Sequence, residues 1–259
     1  MRIDQALVQK QLLRTRTKAK EALFSGIVFY DGKQIRKPSF DVQDLSLLEI
    51  RGLIMPYVSR GGLKLEKALK VFKIDLQGKI MLDIGSSTGG FTDCALKNGI
   101  KSVIAVDVGT NQLDMHLRDL STVTLYEQTD FRDMDLSLLL KVQFATMDVS
   151  FISVKKMLDK LSHLPQLEEV ICLIKPQFEC GKEVAYRYHG VIKNQQVHQD
   201  ILKGIISAFS EHQFYCQGLT FSPIAGGSGN REYLAYFTKK MTEYHPNFTE
   251  IVAQAFTEV

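Results

Sequence analysis

The chain has 259 residues, of which 45% are hydrophobic and 24% charged, a composition that suits one or two globular domains and excludes a disordered chain. The net charge of +3 is unevenly spread, since residues 1–73 carry 15 Lys or Arg against 7 Asp or Glu, and residues 74–259 carry 17 against 22. The basic N-terminal part indicates a polyanionic partner, most simply nucleic acid; a merely solvated basic face is the alternative.

Membrane, disulfide and metal signals are missing from the sequence. No stretch approaches the roughly 18 apolar residues of a spanning helix, and the polar start Met1–Gln5 lacks the apolar core of a signal peptide. The 4 cysteines lie far apart and the 6 histidines lack metal-ligand spacing. We therefore expect a cytoplasmic protein that has no membrane partner, no disulfide framework and no metal site.

The first 50 residues predict two short helices followed by short strands. Thr15 can cap the second helix, which should stop at Gly26. Residues 27–30 and 33–36 predict two strands joined by a tight turn at Asp31-Gly32, and the apolar residues 45–50 follow. Cations that could contact RNA phosphates lie along this module and at the start of the next: Arg2, Arg14, Arg16, Lys18, Lys20, Lys37 and Arg60.

This arrangement resembles the αL RNA-binding motif of one ribosomal small-subunit protein, pseudouridine synthases and tyrosyl-tRNA synthetases. The resemblance rests on Arg2, Asp4, Ala6-Leu7, Thr15-Arg16, Lys18-Ala19, Gly26, Val28, Asp31-Gly32 and Lys37-Pro38. Members of that family usually have glycine between the two helices, where this chain has Gln11-Leu12-Leu13. The resemblance implies a module that positions RNA through its backbone rather than by reading bases.

A second domain is expected after a linker over residues 51–60. We expect an RNA-binding domain with its linker at residues 1–58 and a second domain at residues 59–259. Ser59–Leu65 opens the second domain with a glycine loop and the start of a helix that carries Lys64. By itself, a lysine such as Lys64 at a helix start is more commonly a solvated side chain than a functional one.

The stretch Asp83–Phe91 predicts a strand, a glycine turn and a helix start, which favours a ligand site over an ordinary tight turn. A P-loop is excluded because no Lys follows its last glycine, and Ser87 replaces the second glycine of the dinucleotide fingerprint. The carboxylate of Asp83 would repel a pyrophosphate but could hold the cationic end of S-adenosylmethionine. We therefore favour that cofactor.

Several later strands end in acids. Residues 102–106 are followed by Asp107, residues 123–126 lead to Asp130, and residues 143–147 are followed by Asp148. Such acids can bind the ribose or adenine of a nucleoside, although charged strand ends are often only solvated. The strand at residues 170–174 delivers Lys175 to the same edge. We expect an irregular loop at residues 179–193, antiparallel strands at 214–221 and 232–237, and a terminal helix.

The motifs of the second domain, taken with the N-terminal module, resemble the TlyA family, which joins an αL module to a domain similar to the FtsJ-type RNA ribose methyltransferases. They are Ser59–Leu65, Asp83–Phe91, Asp148–Ser153, Lys175–Glu179 and Gly229–Tyr233. The resemblance implies an α/β fold: a Rossmann-like class I methyltransferase with a seven-stranded mostly parallel sheet, preceded by a small α+β RNA-binding domain.

The resemblance also implies the chemistry and the site. The implied function is transfer of a methyl group from S-adenosylmethionine to a cytidine ribose 2′-hydroxyl of ribosomal RNA, within ribosomal subunits or ribosomes. No metal is implied. The implied catalytic residues are Lys64, Asp148, Lys175 and Glu232, with Lys175 as proton acceptor; the implied cofactor residues are Asp83, Gly85, Ser86, Thr88, Gly89, Asp107 and Asp130.

Two other functions are weighed against this enzyme. A non-catalytic ribosome-binding or assembly factor could retain the same fold. The family's older haemolysin label suggests a membrane-active toxin, against which the missing export signal and spanning segment argue.

Overall fold

A computed structural model describes residues 1–52 and 55–259. The chain divides into two compact units, Met1–Pro56 and Tyr57–Val259. The division falls inside the segment predicted to be the linker, of which residues 53 and 54 lie outside the described residues.

The first unit consists of two helices and a small antiparallel sheet. Its strands lie in the order β2-β1-β3. Leu7, Leu23, Val28 and Leu48 form part of its buried core. The elements are α1 (Ile3–Gln9), α2 (Arg16–Phe24), β1 (Val28–Tyr30), β2 (Lys33–Gln34) and β3 (Leu48–Ile50).

Local signals in the first unit behave as predicted. The Thr15 hydroxyl accepts a hydrogen bond from the Lys18 N–H at 3.2 Å, which confirms the predicted helix cap. The helix ends at Phe24, and Gly26 follows with a φ of +76°. Between the two helices, Gln11 adopts a φ of 58°, so the residue that stands where related modules have glycine still takes the left-handed backbone conformation.

The second unit alternates strands and helices. Its elements are α3 (Gly61–Phe72), β4 (Ile80–Ile84), α4 (Gly90–Lys97), β5 (Ser102–Val106), α5 (Met115–Arg118), β6 (Val123–Tyr126), β7 (Phe144–Met147), α6 (Lys155–Ser162), β8 (Glu169–Ile174), α7 (Pro176–Glu179), α8 (Lys182–Arg187), α9 (Gln195–Glu211), β9 (Tyr215–Phe221), β10 (Tyr233–Thr238) and α10 (Phe248–Glu258).

These strands form one seven-stranded sheet in the order β6-β5-β4-β7-β8-β10-β9. Strands β4 to β8 pair in parallel, and β10 is antiparallel to both of its neighbours. After β4, the chain adds β5 and β6 on one side of β4 and then returns to add β7 and β8 on the other side. The carboxyl ends of β4 and β7 therefore flank the switch point, where open α/β sheets bind ligands.

Apolar side chains cover both faces of the sheet. One core cluster joins the sheet to α3 and α4 through residues such as Leu65, Phe91 and Cys94. The other joins it to α6, α9 and α10 through Leu158, Phe209 and others. The predicted seven-stranded mostly parallel sheet is confirmed, as is the small α+β module before it.

One expectation about the second unit is partly wrong. Residues 179–193, predicted to be an irregular loop, contain the short helix α8. Tyr186 in this helix is 83% exposed, and no described residue of the helix is fully buried. A helix without a buried stripe leaves no 3.6-residue apolar period in the sequence. Among the described residues, no helix is both long and apolar enough to cross a membrane.

Candidate active site

The turn after β4 brings its backbone against the end of β7. Gly85 has a φ of +82°, and a Cβ on it would lie 2.6 Å from the Asp148 carbonyl oxygen. The Gly85 and Ser86 N–H groups both donate to the Val106 carbonyl, at 2.9 and 3.1 Å. Only glycine allows both this conformation and this approach, so the turn is fixed between β5 and β7.

Asp83 lies behind this turn. Its carboxylate is fully buried and accepts hydrogen bonds from the hydroxyls of Thr92 at 2.6 Å and Thr146 at 2.8 Å. Burial raises the pKa of Asp83 to about 6, although the two hydroxyls oppose this shift. Asp83 lines neither of the cavities described below, and its two carboxylate oxygens join β4 to α4 and β7; its contact with the cofactor stays a prediction.

A cavity of about 500 Å³, called the nucleoside cavity below, opens at the ends of β4, β5 and β7. Asp107 and Asp130 line it together with apolar side chains that include Val108, Phe131 and Ile152. Apolar walls suit a purine ring, and carboxylates suit ribose hydroxyls and an exocyclic amine. The residues present thus fit an adenosine moiety.

The two acids of the nucleoside cavity are held by backbone and side-chain donors. Asp107 accepts hydrogen bonds from the N–H groups of Ser87 and Gly109, each at 2.7 Å. Asp130 accepts from the Arg132 N–H at 2.9 Å and from its guanidinium at 2.6 Å. The Arg132 side-chain hydrogen bonds lower the pKa of Asp130, so this carboxylate is ionised at neutral pH.

A second cavity of about 350 Å³, called the reaction cavity below, adjoins the first, and Gly85, Ser87, Asp148 and Ser150 line both. Ser86 and Thr88 of the glycine turn line the reaction cavity, whereas Gly89 lines neither. The hydroxyl oxygen of Ser86 is buried and has no hydrogen-bond partner in the described part of the chain. A buried hydroxyl without a partner is costly, so this group is available to a bound polar ligand.

The four predicted catalytic residues meet at the wall of the reaction cavity. Lys175 Nζ lies 2.6 Å from Asp148 Oδ1, and Asp148 Oδ2 lies 3.9 Å from Lys64 Nζ. Lys64 Nζ in turn lies 2.7 Å from Glu232 Oε2. Two cations and two anions thus alternate in one chain of contacts, and their side chains are 3–20% exposed. Charges this buried persist because each has an opposite partner.

Four different elements deliver these side chains. Lys64 lies in the first turns of α3, Asp148 directly follows β7, Lys175 directly follows β8, and Glu232 directly precedes β10. Because β10 runs antiparallel to β8, the start of one lies beside the end of the other, with Tyr233 opposite Ile174. The sheet topology therefore brings residues far apart in sequence to one edge.

The loop before β10 packs closely against Glu232. A Cβ on Gly226 would lie 2.1 Å from Glu232 Oε1, whereas a Cβ on Gly227 would meet nothing within 4 Å. The Asn230 side chain holds this loop by donating to the carbonyls of Gly227 at 3.2 Å and Gly190 at 2.9 Å.

Residues that were not predicted as site residues also contribute. The Ser150 hydroxyl accepts a hydrogen bond from Lys175 Nζ at 2.9 Å. Phe151 is 91% exposed with a φ of 64°, and its ring centroid lies 4.9 Å from that of Phe178. Glu179 accepts hydrogen bonds from the Ser153 hydroxyl at 2.5 Å and the Val154 N–H at 2.8 Å, which joins the segment after Asp148 to the segment after Lys175.

The predicted RNA-binding cations of the first unit are exposed or partly exposed. Arg2 and Arg16 are about half exposed, and both contact the buried carboxylate of Asp4, at 3.0 and 2.8 Å. Burial opposes ionisation of Asp4, but hydrogen bonds from the two arginines outweigh it and lower its pKa to about 2. Lys18 pairs with Glu21 at 2.9 Å. Arg14, Lys20 and Lys37 are exposed.

The remaining predicted cation belongs to the second unit. Arg60 is exposed and lines the reaction cavity. Within the described residues, no group of three or more His, Cys, Asp or Glu side chains is placed to hold a metal ion.

The fold and the site define a methyltransferase of the FtsJ-like class. The FtsJ-like methyltransferase family matches residues 57–239, and the S4 domain family matches residues 1–44. YqxC of Bacillus subtilis, whose name describes a candidate rRNA methyltransferase, is 46% identical over 91% of this chain and 84% of its own length. The 23S rRNA (cytidine-2′-O)-methyltransferase TlyA of Campylobacter jejuni is 37% identical over 92% of this chain and 100% of its own length.

Solved structures agree with these relatives. A haemolysin-labelled protein from Streptococcus thermophilus is 39% identical and superposes with a TM-score of 0.77. The match covers 100% of this chain and 96% of the Streptococcus protein. The chain therefore belongs to the TlyA family, in which an S4 domain precedes an FtsJ-like methyltransferase domain. The family and the enzyme class predicted from the sequence are confirmed.

Proposed function

We propose that this protein transfers the methyl group of S-adenosylmethionine to the 2′-hydroxyl of a cytidine in ribosomal RNA, within ribosomal subunits or ribosomes. The large subunit is the favoured target, because the Campylobacter relative is named for 23S rRNA. The observation that carries the proposal is the Lys175–Asp148–Lys64–Glu232 chain on the wall of a cavity that adjoins a nucleoside-sized one.

The methyl donor is proposed to lie across the two cavities. Asp107 would hold its ribose and Asp130 its adenine amine, while Gly85, Ser86 and Thr88 would surround its methionine end and Gly89, with a φ of +90°, would shape the turn behind them. Asp83 supports that turn from behind, through Thr92 and Thr146. The bound donor supplies an electrophilic methyl carbon on a sulfonium that leaves as a neutral thioether, so the chemistry needs no metal to neutralise a leaving group.

Lys175 is the proposed proton acceptor. A ribose 2′-hydroxyl is a poor nucleophile, so its oxygen must be oriented and its proton removed as the methyl group is transferred. Asp148 fixes the Lys175 amine at 2.6 Å, and Lys64 with Glu232 completes the wall. These three residues are proposed to position the acceptor and the 2′-oxygen; Lys175 acts when it is neutral.

The S4 unit is proposed to bind RNA phosphates through Arg2, Arg14, Arg16, Lys18, Lys20 and Lys37. Such contacts position the enzyme without reading sequence. Arg60 is proposed to contact RNA at the reaction cavity, which it lines. The exposed ring of Phe151 offers a surface on which an RNA base can stack.

The test is a methyl-transfer assay with tritiated S-adenosylmethionine and purified ribosomal subunits or whole ribosomes. We expect label in ribosomal RNA with the wild-type protein and strong loss with Lys175→Ala, at unchanged S-adenosylmethionine binding. Lys141→Ala is the matched control, because this exposed lysine precedes β7 and so lies at the opposite edge of the sheet. Wild-type single-turnover methylation by Lys175→Ala would refute the proton-acceptor role.

The same preparation distinguishes the alternatives. Binding to ribosomes without label in any RNA would support a non-catalytic factor. Leakage of liposomes would support the membrane-active reading. Mapping alkali-resistant linkages in ribosomal RNA from cells with and without the protein would identify the methylated nucleotide.

A further inference from the structure

Ser150 lies beside the nearly buried amine of Lys175, where the two cavities meet. It follows Asp148 by two residues and lines both the nucleoside cavity and the reaction cavity. Its Oγ lies 2.9 Å from Lys175 Nζ. Lys175 is only 8% exposed, whereas Ser150 is exposed. Lys175 itself lines the reaction cavity, and the more exposed Ser150 hydroxyl contacts its amine where the two cavities meet.

The hydrogen bonds give the Ser150 hydroxyl a direction. An ammonium has three N–H donors, and two of those of Lys175 go to Asp148 and Ser150. An accepting hydroxyl keeps its own proton, which must point away from the ammonium. In the described part of the chain, the Ser150 hydroxyl donates no hydrogen bond to a protein group. This proton faces the cavities while Lys175 is an ammonium; when Lys175 is neutral, the hydroxyl can turn to donate to its amine and accept a hydrogen bond from a ligand.

The backbone around Ser150 is held in an unusual conformation. The next residue, Phe151, has a φ of 64°, which is costly for a bulky side chain and persists only where the surrounding structure imposes it. Glu179 fastens the following residues by accepting hydrogen bonds from Ser153 and Val154. The hydroxyl is thus placed by its own segment as well as by Lys175.

We propose that Ser150 is a catalytic residue that carries the substrate proton to Lys175. The 2′-hydroxyl proton moves to Ser150 Oγ while the Ser150 proton moves to neutral Lys175 Nζ. The 2′-oxygen bonds to the methyl carbon as the carbon–sulfur bond breaks, with its electron pair left on sulfur. Ser150 ends neutral, Lys175 ends as an ammonium, and the products are a methyl ether and a thioether. This inference rests on the proposed function.

The first test is the single-turnover methylation rate as a function of pH. Ser150→Ala should lower the rate about 10- to 100-fold at every pH at which the wild-type rate is measured, since proton transfer itself is impaired. Ser150→Thr, which keeps the hydroxyl, should restore most of the rate. A Ser150→Ala rate that converged on the wild-type rate as the pH rises would mean that Ser150 affects only the protonation of the site, and the proposal would fail; the second test separates proton transfer from mere positioning of Lys175.

The second test measures RNA binding without the methyl donor. The probe is the shortest ribosomal RNA fragment that the wild-type protein methylates, synthesised with either a 2′-hydroxyl or a 2′-hydrogen at the target nucleotide. Wild-type protein should bind the hydroxyl form more tightly, and Ser150→Ala should lose part of this preference. A preference as large in Ser150→Ala as in wild type would overturn the proposal, because the hydroxyl would then be recognised without Ser150.

The controls separate this inference from the proposed function. Ser121→Ala changes an exposed serine just before β6, at the opposite edge of the sheet, and should leave both measurements unchanged. A wild-type protein that methylates no ribosomal RNA would refute the proposed function. An active wild-type protein with an equally active Ser150→Ala variant would refute the role of Ser150 alone.

Discussion

Lys64 Nζ and Glu232 Oε2 lie 2.7 Å apart although 168 positions separate them in the sequence. The pair joins the start of α3 to the start of β10, and the two residues are 8% and 4% exposed. The wall of the reaction cavity is therefore complete only when the last strands of the sheet have formed. Removal of Lys64 leaves the Glu232 carboxylate without its partner, whereas removal of Glu232 leaves Lys64 only Asp148, at 3.9 Å.

Removal of one partner from the Lys64–Glu232 pair is predicted to destabilise the second unit. Lys64→Met should reduce the free energy of unfolding by about 3 kcal/mol, since the buried Glu232 side chain would lose its partner at 2.7 Å. The double variant Lys64→Met/Glu232→Leu should recover most of that loss without recovering methylation. Urea unfolding followed by circular dichroism measures both. A double variant no more stable than the single one would show that the pair is not coupled.

Two adjacent glycines allow a matched test of the wall around Glu232. Gly226→Ala should reduce methylation at least about 10-fold, because the added Cβ would lie 2.1 Å from Glu232 Oε1 and displace the carboxylate. Gly227→Ala, where a Cβ meets nothing within 4 Å, should remain active. Initial rates at saturating RNA compare the two. Equal rates would show that the position of Glu232 does not matter.

The raised pKa of the buried Asp83 side chain should make the free energy of unfolding depend on pH. Its folded-state pKa is raised, so its contribution is fully present below the unfolded value of 3.8 and is lost as the pH rises through about 6. The shift corresponds to about 3 kcal/mol. Asp83→Asn cannot ionise, so its free energy of unfolding relative to wild type should rise between pH 4 and pH 7. Asp119→Asn, which removes an exposed acid instead of a buried one, is the control.

Asp4 predicts the opposite pH dependence in the S4 unit. Its pKa is lowered to about 2, so its contribution is present above the unfolded value of 3.8 and is lost as the pH falls through about 2. Asp4→Asn should lower the amide-exchange protection of α1 and α2 at pH 7 by about 1 kcal/mol. This figure is smaller than the pKa shift alone would give, because both arginines are about half exposed and water screens their charges. It should also weaken RNA binding, because Arg2 and Arg16 lose their common anchor.

The control for Asp4 is an exposed ion pair of the same unit. Asp41 contacts the N-terminal ammonium at 2.8 Å, and its side chain is 64% exposed. Asp41→Asn should therefore change neither protection nor RNA binding appreciably. Equal effects of the two substitutions would mean that the buried position of Asp4 confers no special role.

Much of the fold could be predicted because its signals are local. Apolar runs mark the parallel strands, Thr15 marks a helix start, and glycines mark the turn after β4. Helix α8 was missed because its exposed surface leaves no apolar period. The sequence has no local signal for a helix that packs so little of its surface.

The site was only partly predictable, because burial and hydrogen bonding depend on the tertiary structure. The four catalytic positions followed from family motifs, and the sheet brings them together. The sequence shows an acid at Asp83, but not that Thr92 and Thr146 occupy both of its oxygens. Ser150 and Glu179 lie inside the motifs Asp148–Ser153 and Lys175–Glu179. Only the folded chain shows that Ser150 contacts Lys175 and that Glu179 accepts a hydrogen bond from Ser153.

The most direct test of the central claim is the methylation state of one ribose. Intact ribosomal subunits from cells that lack the protein should be incubated with tritiated S-adenosylmethionine. Either the wild-type protein or the Lys175→Ala variant is then added. The account predicts tritium in an alkali-resistant dinucleotide that begins with cytidine, formed by the wild-type protein and not by the variant. Absence of label with wild-type protein that binds both the subunits and S-adenosylmethionine, or label confined to a base, would contradict it.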